Sequence, residues 1–113
     1  MEKDPKIYLE HILDSINAIQ SYTLERTRET FLNSLMEQDA VIRRFEIIGE
    51  AAKNTPESFK NAHKDIPWSE MAGMRNALIH EYFIIDIIAV WDTTQEDLPK
   101  LKKQIEEVIK ELQ

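Results

Sequence analysis

An all-α fold is predicted, an antiparallel bundle of four to five helices, and three observations predict it. Apolar residues recur at spacings of three and four along most of the chain. Helix-start signals precede those runs, and no run alternates apolar and polar residues as a half-buried strand does. The 113 residues argue for one domain spanning residues 1–113, since domains cluster near ~100–150 residues. An apolar content of 42% is enough for a modest core.

The first helical segment opens at Asp4-Pro5, an N-cap followed by proline at the first helical position. It runs through Leu9, Ile12, Leu13, Ile16 and Ile19 and ends near Tyr22. A short helical piece at residues 27–33 leads to the second main segment. That one carries Val41, Ile42, Phe45, Ile48, Ala51 and Ala52 and stops before Pro56. Pro67 begins the third, through Trp68, Met71, Met74 and Leu78. Asp86 is the expected N-cap of the fourth, in which Trp91, Thr94, Leu98, Leu101, Ile105, Val108 and Leu112 keep a 3-4 alternation. Pro99 lies inside that pattern and is expected to kink or interrupt it. The two glycines, Gly49 and Gly73, both fall inside expected helices, where each costs up to ~1 kcal/mol relative to alanine. Close approach of another backbone explains such a glycine. For Gly73, two residues before Arg75, an alternative is that it keeps one face open to a ligand or a second subunit.

Composition removes whole classes of function. No cysteine is present, which excludes disulfides, thiolate metal sites and cysteine nucleophiles. His-Glu-x-x-His, Gly-x-x-x-x-Gly-Lys and Gly-x-Ser-x-Gly motifs are absent. Di-iron bundle sites use Glu-x-x-His pairs, whereas Tyr8, Lys60 and Ala77 stand three before the histidines. No metal and no cofactor is therefore expected. The start of the chain shows no signal pattern, and the longest apolar run, residues 82–91, is broken by Asp86 at about half a membrane span. A cytoplasmic protein without membrane contact is expected. The net charge of −7 opposes general binding to polyanions. Any nucleic-acid contact should then be local, through Arg43, Arg44, Lys53, Arg75 and Lys60 or Lys64.

The candidate chemistry sits in Arg75-Asn76-Ala77-Leu78-Ile79-His80-Glu81-Tyr82. It combines a planar cation suited to phosphate with an imidazole, a residue type suited to proton transfer. At roughly 100° per residue on a helix, Tyr82 falls about 20° from Arg75 and His80 about 140° away. Either the helix ends near His80, or a second copy of the chain completes the site. On residue type alone, Arg75 and His80 also suit a structural network. Glu46 and Glu50, four apart on the second segment, place two like charges on one face. Arginines such as Arg43 compensate them there, or one reaches across the bundle to orient Arg75.

Arg75-x-x-x-x-His80-x-Tyr82 on the third helix of a small all-α domain resembles the Arg-x4–6-His-x-Tyr signature of HEPN domains. The flanks are similar to the HepT-like branch, the toxin half of a toxin–antitoxin pair with a minimal nucleotidyltransferase. They are Gln38-Asp39-Ala40-Val41-Ile42-Arg43, Glu46-Ile47-Ile48-Gly49-Glu50-Ala51-Ala52, Ile66-Pro67-Trp68, Gly73-Met74-Arg75-Asn76, Val90-Trp91-Asp92-Thr93 and Asp97-Leu98-Pro99. The similarity covers about residues 9–105. It implies a bundle of HEPN type and a metal-independent endoribonuclease acting as a homodimer, with both protomers lining one cleft. By the same resemblance Arg75 would stabilise charge on the phosphate and His80 would act as general acid–base. Asn76 would position the motif or hold phosphate. Tyr82 would be the site that the partner nucleotidyltransferase modifies with AMP to silence the toxin. The alternative reading is a non-catalytic dimeric adaptor that binds nucleotide or a nucleotidyltransferase and uses the motif structurally.

Overall fold

Asp4 accepts a hydrogen bond from the Lys6 backbone N–H at 3.0 Å, and with Pro5 it starts α1, Pro5–Thr23. The computed structural model describes residues 4–80 and 86–113, the side chains of 77–80 excepted. Leu9, Ile12, Ile16 and Ile19 of α1 are completely buried, so the 3-4 spacing becomes one core face. Glu25 turns the chain with a positive φ of 64°, a conformation that non-glycine residues rarely adopt. Thr27 and Thr30 then form a reciprocal capping box at α2, Arg28–Leu32. This short helix drives Phe31 into the core, 5.2 Å from the Trp91 ring.

Ser34 caps α3, Leu35–Asn54, by accepting from the Glu37 N–H. Buried Gln38 donates through Nε2 to the Phe31 and Leu32 carbonyls at 3.0 and 3.1 Å. Those are end carbonyls of α2 that the helix itself leaves unpaired, so one side chain locks α2 onto α3. Thr55 closes α3 by donating to the Ala51 carbonyl at 2.8 Å.

Two expectations are corrected. Among the described residues there are six helices, not four or five, because residues 57–62 form α4, Glu57–Ala62. It buries no residue fully, so it leaves no apolar period to read; Pro56 at its start is the one local signal. Of the two outcomes expected at Pro99, a kink or an interruption, the interruption does not occur: the last helix, α6, runs continuously over Ile87–Glu111. Leu98, Leu101, Ile105 and Val108 are buried on either side of the proline. At ~1.5–3 kcal/mol for each buried apolar side chain, they outweigh the ~3 kcal/mol of an internal proline. The other elements are α5, Trp68–His80, and the Asp86 cap of α6, whose carboxylate accepts from the Ala89 N–H at 3.1 Å.

The all-α bundle is therefore the fold. α3 is its central element, packed against α5 on one side and α1 on the other, while α6 closes the core against α1. No strand occurs among the described residues, and no helix there is long and apolar enough to cross a membrane.

Candidate functional site

Gly49 brings α3 and α5 together at Arg75. A Cβ built on Gly49 would lie 2.1 Å from the Arg75 Cβ and 2.7 Å from the Met71 carbonyl oxygen. Only glycine permits this approach, which sets the root of the Arg75 side chain directly on α3. Gly73 differs: nothing lies within 4 Å of a Cβ added there. Among the described residues its helix face is open, so close approach of another helix does not explain it.

Glu50, the residue after Gly49, meets the guanidinium, with Oε2 3.0 Å from Arg75 Nη2. Asn54 donates to the other carboxylate oxygen of Glu50 at 3.1 Å and to the Glu50 carbonyl at 3.0 Å. On the far side, Arg75 Nη1 donates to Asn76 Oδ1 at 3.0 Å. A chain of polar contacts thus runs Asn54–Glu50–Arg75–Asn76 and fixes the plane of the guanidinium. Arg75 Nε is buried and has no hydrogen-bond partner among the described residues. Such a donor is costly to leave unmet.

Of the two glutamates, Glu50 reaches Arg75, and Glu46 pairs with Arg43 on its own helix at 3.7 Å. Both line one cleft of about 360 Å³ with Arg75, Arg43, Ile47, Ala51 and Asn54, and α1 closes it with Tyr8 and His11. Tyr8 and His11 were not legible as site residues. They flank the apolar face of α1, and only the packing of α1 on α3 brings them to Arg75. The lysines named from sequence lie elsewhere. Lys53, Lys60 and Lys64 line a separate depression of about 620 Å³. There Lys60 Nζ donates to the Lys53 carbonyl at 3.2 Å and lies 3.7 Å from Glu57.

His80 is the last residue of α5 as described, and its side chain lies outside the described residues, as do Glu81 and Tyr82 entirely. Among the described residues no three His, Asp or Glu side chains cluster as a metal site would require.

The comparisons agree on a family. The model of the family described as ribonuclease HepT-like matches residues 12–108. A Methanocaldococcus jannaschii protein whose name joins gamma-glutamylcyclotransferase to RNase is 50% identical over 112 residues, 99% of this chain and 50% of its own length. The chain thus spans half of that relative. A protein of Thermococcus cleftensis named probable ribonuclease HepT is 48% identical over 110 residues, 97% of this chain and 100% of its own. A further Methanocaldococcus jannaschii protein named as an RNase is 43% identical over 105 residues, 93% of this chain and 96% of its own. No solved structure matches the chain significantly. With a family model covering most of its length and a full-length relative 48% identical, this chain belongs to the HepT-like ribonuclease family.

Proposed function

We propose that the chain is a metal-independent endoribonuclease, the toxin half of a toxin–antitoxin pair, acting as a cytoplasmic homodimer. The observation that carries the reading is the guanidinium of Arg75. It is braced by Glu50 and Asn76 at the wall of an open cleft. A planar cation already oriented stabilises the charge that builds on a phosphate in the transition state without reorganising when the reaction occurs.

The reaction is an internal transesterification. A ribose 2′-oxygen forms a bond to the adjacent phosphorus as the bond from phosphorus to the 5′-oxygen breaks. His80 handles the proton transfer, one proton leaving the 2′-hydroxyl and one reaching the departing 5′-oxygen. Asn76 holds Arg75 through its amide oxygen and keeps its amide N–H for the phosphate. The two protomers together line the active cleft, which removes the 140° conflict between Arg75 and His80 on one helix. A minimal nucleotidyltransferase encoded beside the chain is the antitoxin, and it transfers AMP to Tyr82.

Arg75→Ala and His80→Ala, each checked for folding, should lose at least about 100-fold in cleavage of single-stranded RNA, the loss typical for a transition-state donor or a general acid–base group. Wild-type activity should survive EDTA, and its products should end in 2′,3′-cyclic phosphate. Full activity in His80→Ala, or cleavage that requires added metal, rejects the mechanism.

The second reading, a non-catalytic adaptor, draws on the net charge of −7 and on Glu50, which offsets the Arg75 cation at 3.0 Å. Growth after induction of wild type or His80→Ala separates the two readings. A toxin arrests growth only with His80 intact; an adaptor does not discriminate.

A further inference from the structure

Tyr8 and His11 stand one turn apart on α1, about 4.5 Å along the axis at 1.5 Å per residue. Neither belongs to the Arg75 motif, yet both face the cleft that Arg75 enters. Tyr8 is half-buried and packs against the core, so its ring is fixed; His11 is exposed at the rim. The opposite wall is a single stripe of α3. In it Arg43, Glu46, Ile47, Glu50, Ala51 and Asn54 recur at helical spacing.

The sign of charge along that stripe changes with position. Arg43 is at one end, its side chain 71% exposed and only loosely paired with Glu46. Arg75 enters at the level of Glu50, about 10 Å along α3 from Arg43 for seven residues. Glu46 lies between the cations and Glu50 lies against Arg75 itself, so a phosphate placed centrally is repelled. A bare anion therefore does not suit this cleft. A segment with phosphates at its two ends and a neutral, planar, donor-bearing group between them does suit it.

We propose that this cleft is a single-stranded RNA subsite that holds a nucleotide next to the phosphate at Arg75. Its base lies against Tyr8 and His11, and its flanking phosphate is held by Arg43. Aromatic side chains are the usual platform for unstacked RNA bases. The half-buried Glu46 carboxylate accepts from a base amino group, which carboxylates do readily. The cleft volume of about 360 Å³ lies within the range of small-ligand sites. The ~10 Å of α3 from Arg43 to the level at which Arg75 enters matches about three stacked steps of 3.4 Å, or fewer unstacked ones. RNA as ligand is taken from the ribonuclease reading above; the binding geometry stands apart from catalysis.

The test is binding, with the attacking hydroxyl removed. Fluorescence anisotropy with a short single-stranded oligonucleotide carrying 2′-O-methyl groups reads affinity whether or not the protein cleaves. Tyr8→Leu and His11→Ala should each weaken binding about tenfold, within the range for loss of one stacking contact. Tyr8→Phe, which keeps the ring, should regain most of the binding lost in Tyr8→Leu, and circular dichroism melts of both variants exclude loss of folding as the cause. Arg43→Ala should weaken binding and also reduce the salt slope of log K by about 0.7, one single-strand phosphate contact. Lys103→Ala, an exposed residue of α6, removes the same charge far from the cleft and should leave the slope unchanged. If wild type fails to bind, or if His11→Ala and Arg43→Ala bind like wild type with its slope, the subsite is overturned. That result leaves cleavage dependent on Arg75 and His80 untouched. Binding that depends on these side chains in a protein that cleaves nothing would uphold the subsite and end the catalytic reading.

Discussion

The two glycines offer a stability experiment in which the same substitution should act in opposite directions. Alanine at Gly49 places a methyl group 2.1 Å from the Arg75 Cβ. Neither atom can rotate away, because both are fixed to helix backbones. Ordinary contact begins at 3.4 Å, so α5 must move from α3 by at least about 1.3 Å or the helices must twist apart. Overpacking of this kind typically costs ~1–3 kcal/mol, against a gain of up to ~1 kcal/mol in helix propensity. A net loss of about 1–2 kcal/mol lowers Tm by roughly 5–15 °C in a domain of this size. Alanine at Gly73 meets nothing within 4 Å and should raise Tm by several degrees, up to the ~1 kcal/mol of propensity. Circular dichroism melts of both variants give the comparison directly. Displacing Arg75 by about 1 Å should also reduce RNA cleavage ~100-fold in the folded fraction of Gly49→Ala. A Gly49→Ala protein that melts at or above the wild-type temperature would refute the close α3–α5 contact. A Gly73→Ala protein that melts lower and dissociates would mean that a second subunit covers that face.

Glu50→Gln should change stability by less than about 1 kcal/mol, as for a half-exposed ion pair, yet lower cleavage about tenfold; a faster variant would mean that Glu50 restrains Arg75 instead of positioning it. A dimer should appear by sedimentation or light scattering at micromolar concentration, and a monomer there removes the shared cleft. Tyr82 should gain the mass of AMP on incubation with the neighbouring nucleotidyltransferase and ATP. Silencing without that adduct would indicate occlusion of the cleft.

How far the sequence reaches depends on where the information is local. α1, α3 and α6 were legible because each buries a stripe of apolar residues at helical spacing, with Asp4 and Asp86 as starts for the first and last; the Ser34 cap of α3 was not read. α4 was not, since it buries no residue fully and its existence depends on neighbours. Phe59 and His63 stack at 4.2 Å, and the Trp68 indole donates to the His63 carbonyl at 3.0 Å. None of these contacts has a period to read. The polar site divides the same way. Arg75 and Asn76 stood out by chemical type, and Glu50 by its place on the helix before them. Tyr8 and His11 carry no motif, and sixty-odd residues separate them from Arg75. A tertiary contact alone brings them together.

The acidic charge and the RNA reading fit together once distance is considered. A field from a net charge of −7 acts broadly on a polyanion. At physiological salt it decays over about 8 Å, so it governs approach more than contact. Within the cleft the cations are placed singly, Arg75 against Glu50 and Arg43 against Glu46, each offset by a neighbouring carboxylate. Such a surface attracts RNA weakly and gives little affinity for duplex backbone, which is bound chiefly by phosphate contacts. It favours a strand whose base can leave the stack and lie on the α1 wall. The same balance suits a protein whose activity must be contained. Because Arg75 has one strong competing anion among the described residues, Glu50, a covalently attached phosphate nearby would be enough to occupy it. On the toxin reading proposed above, an AMP group added to Tyr82 would supply that phosphate.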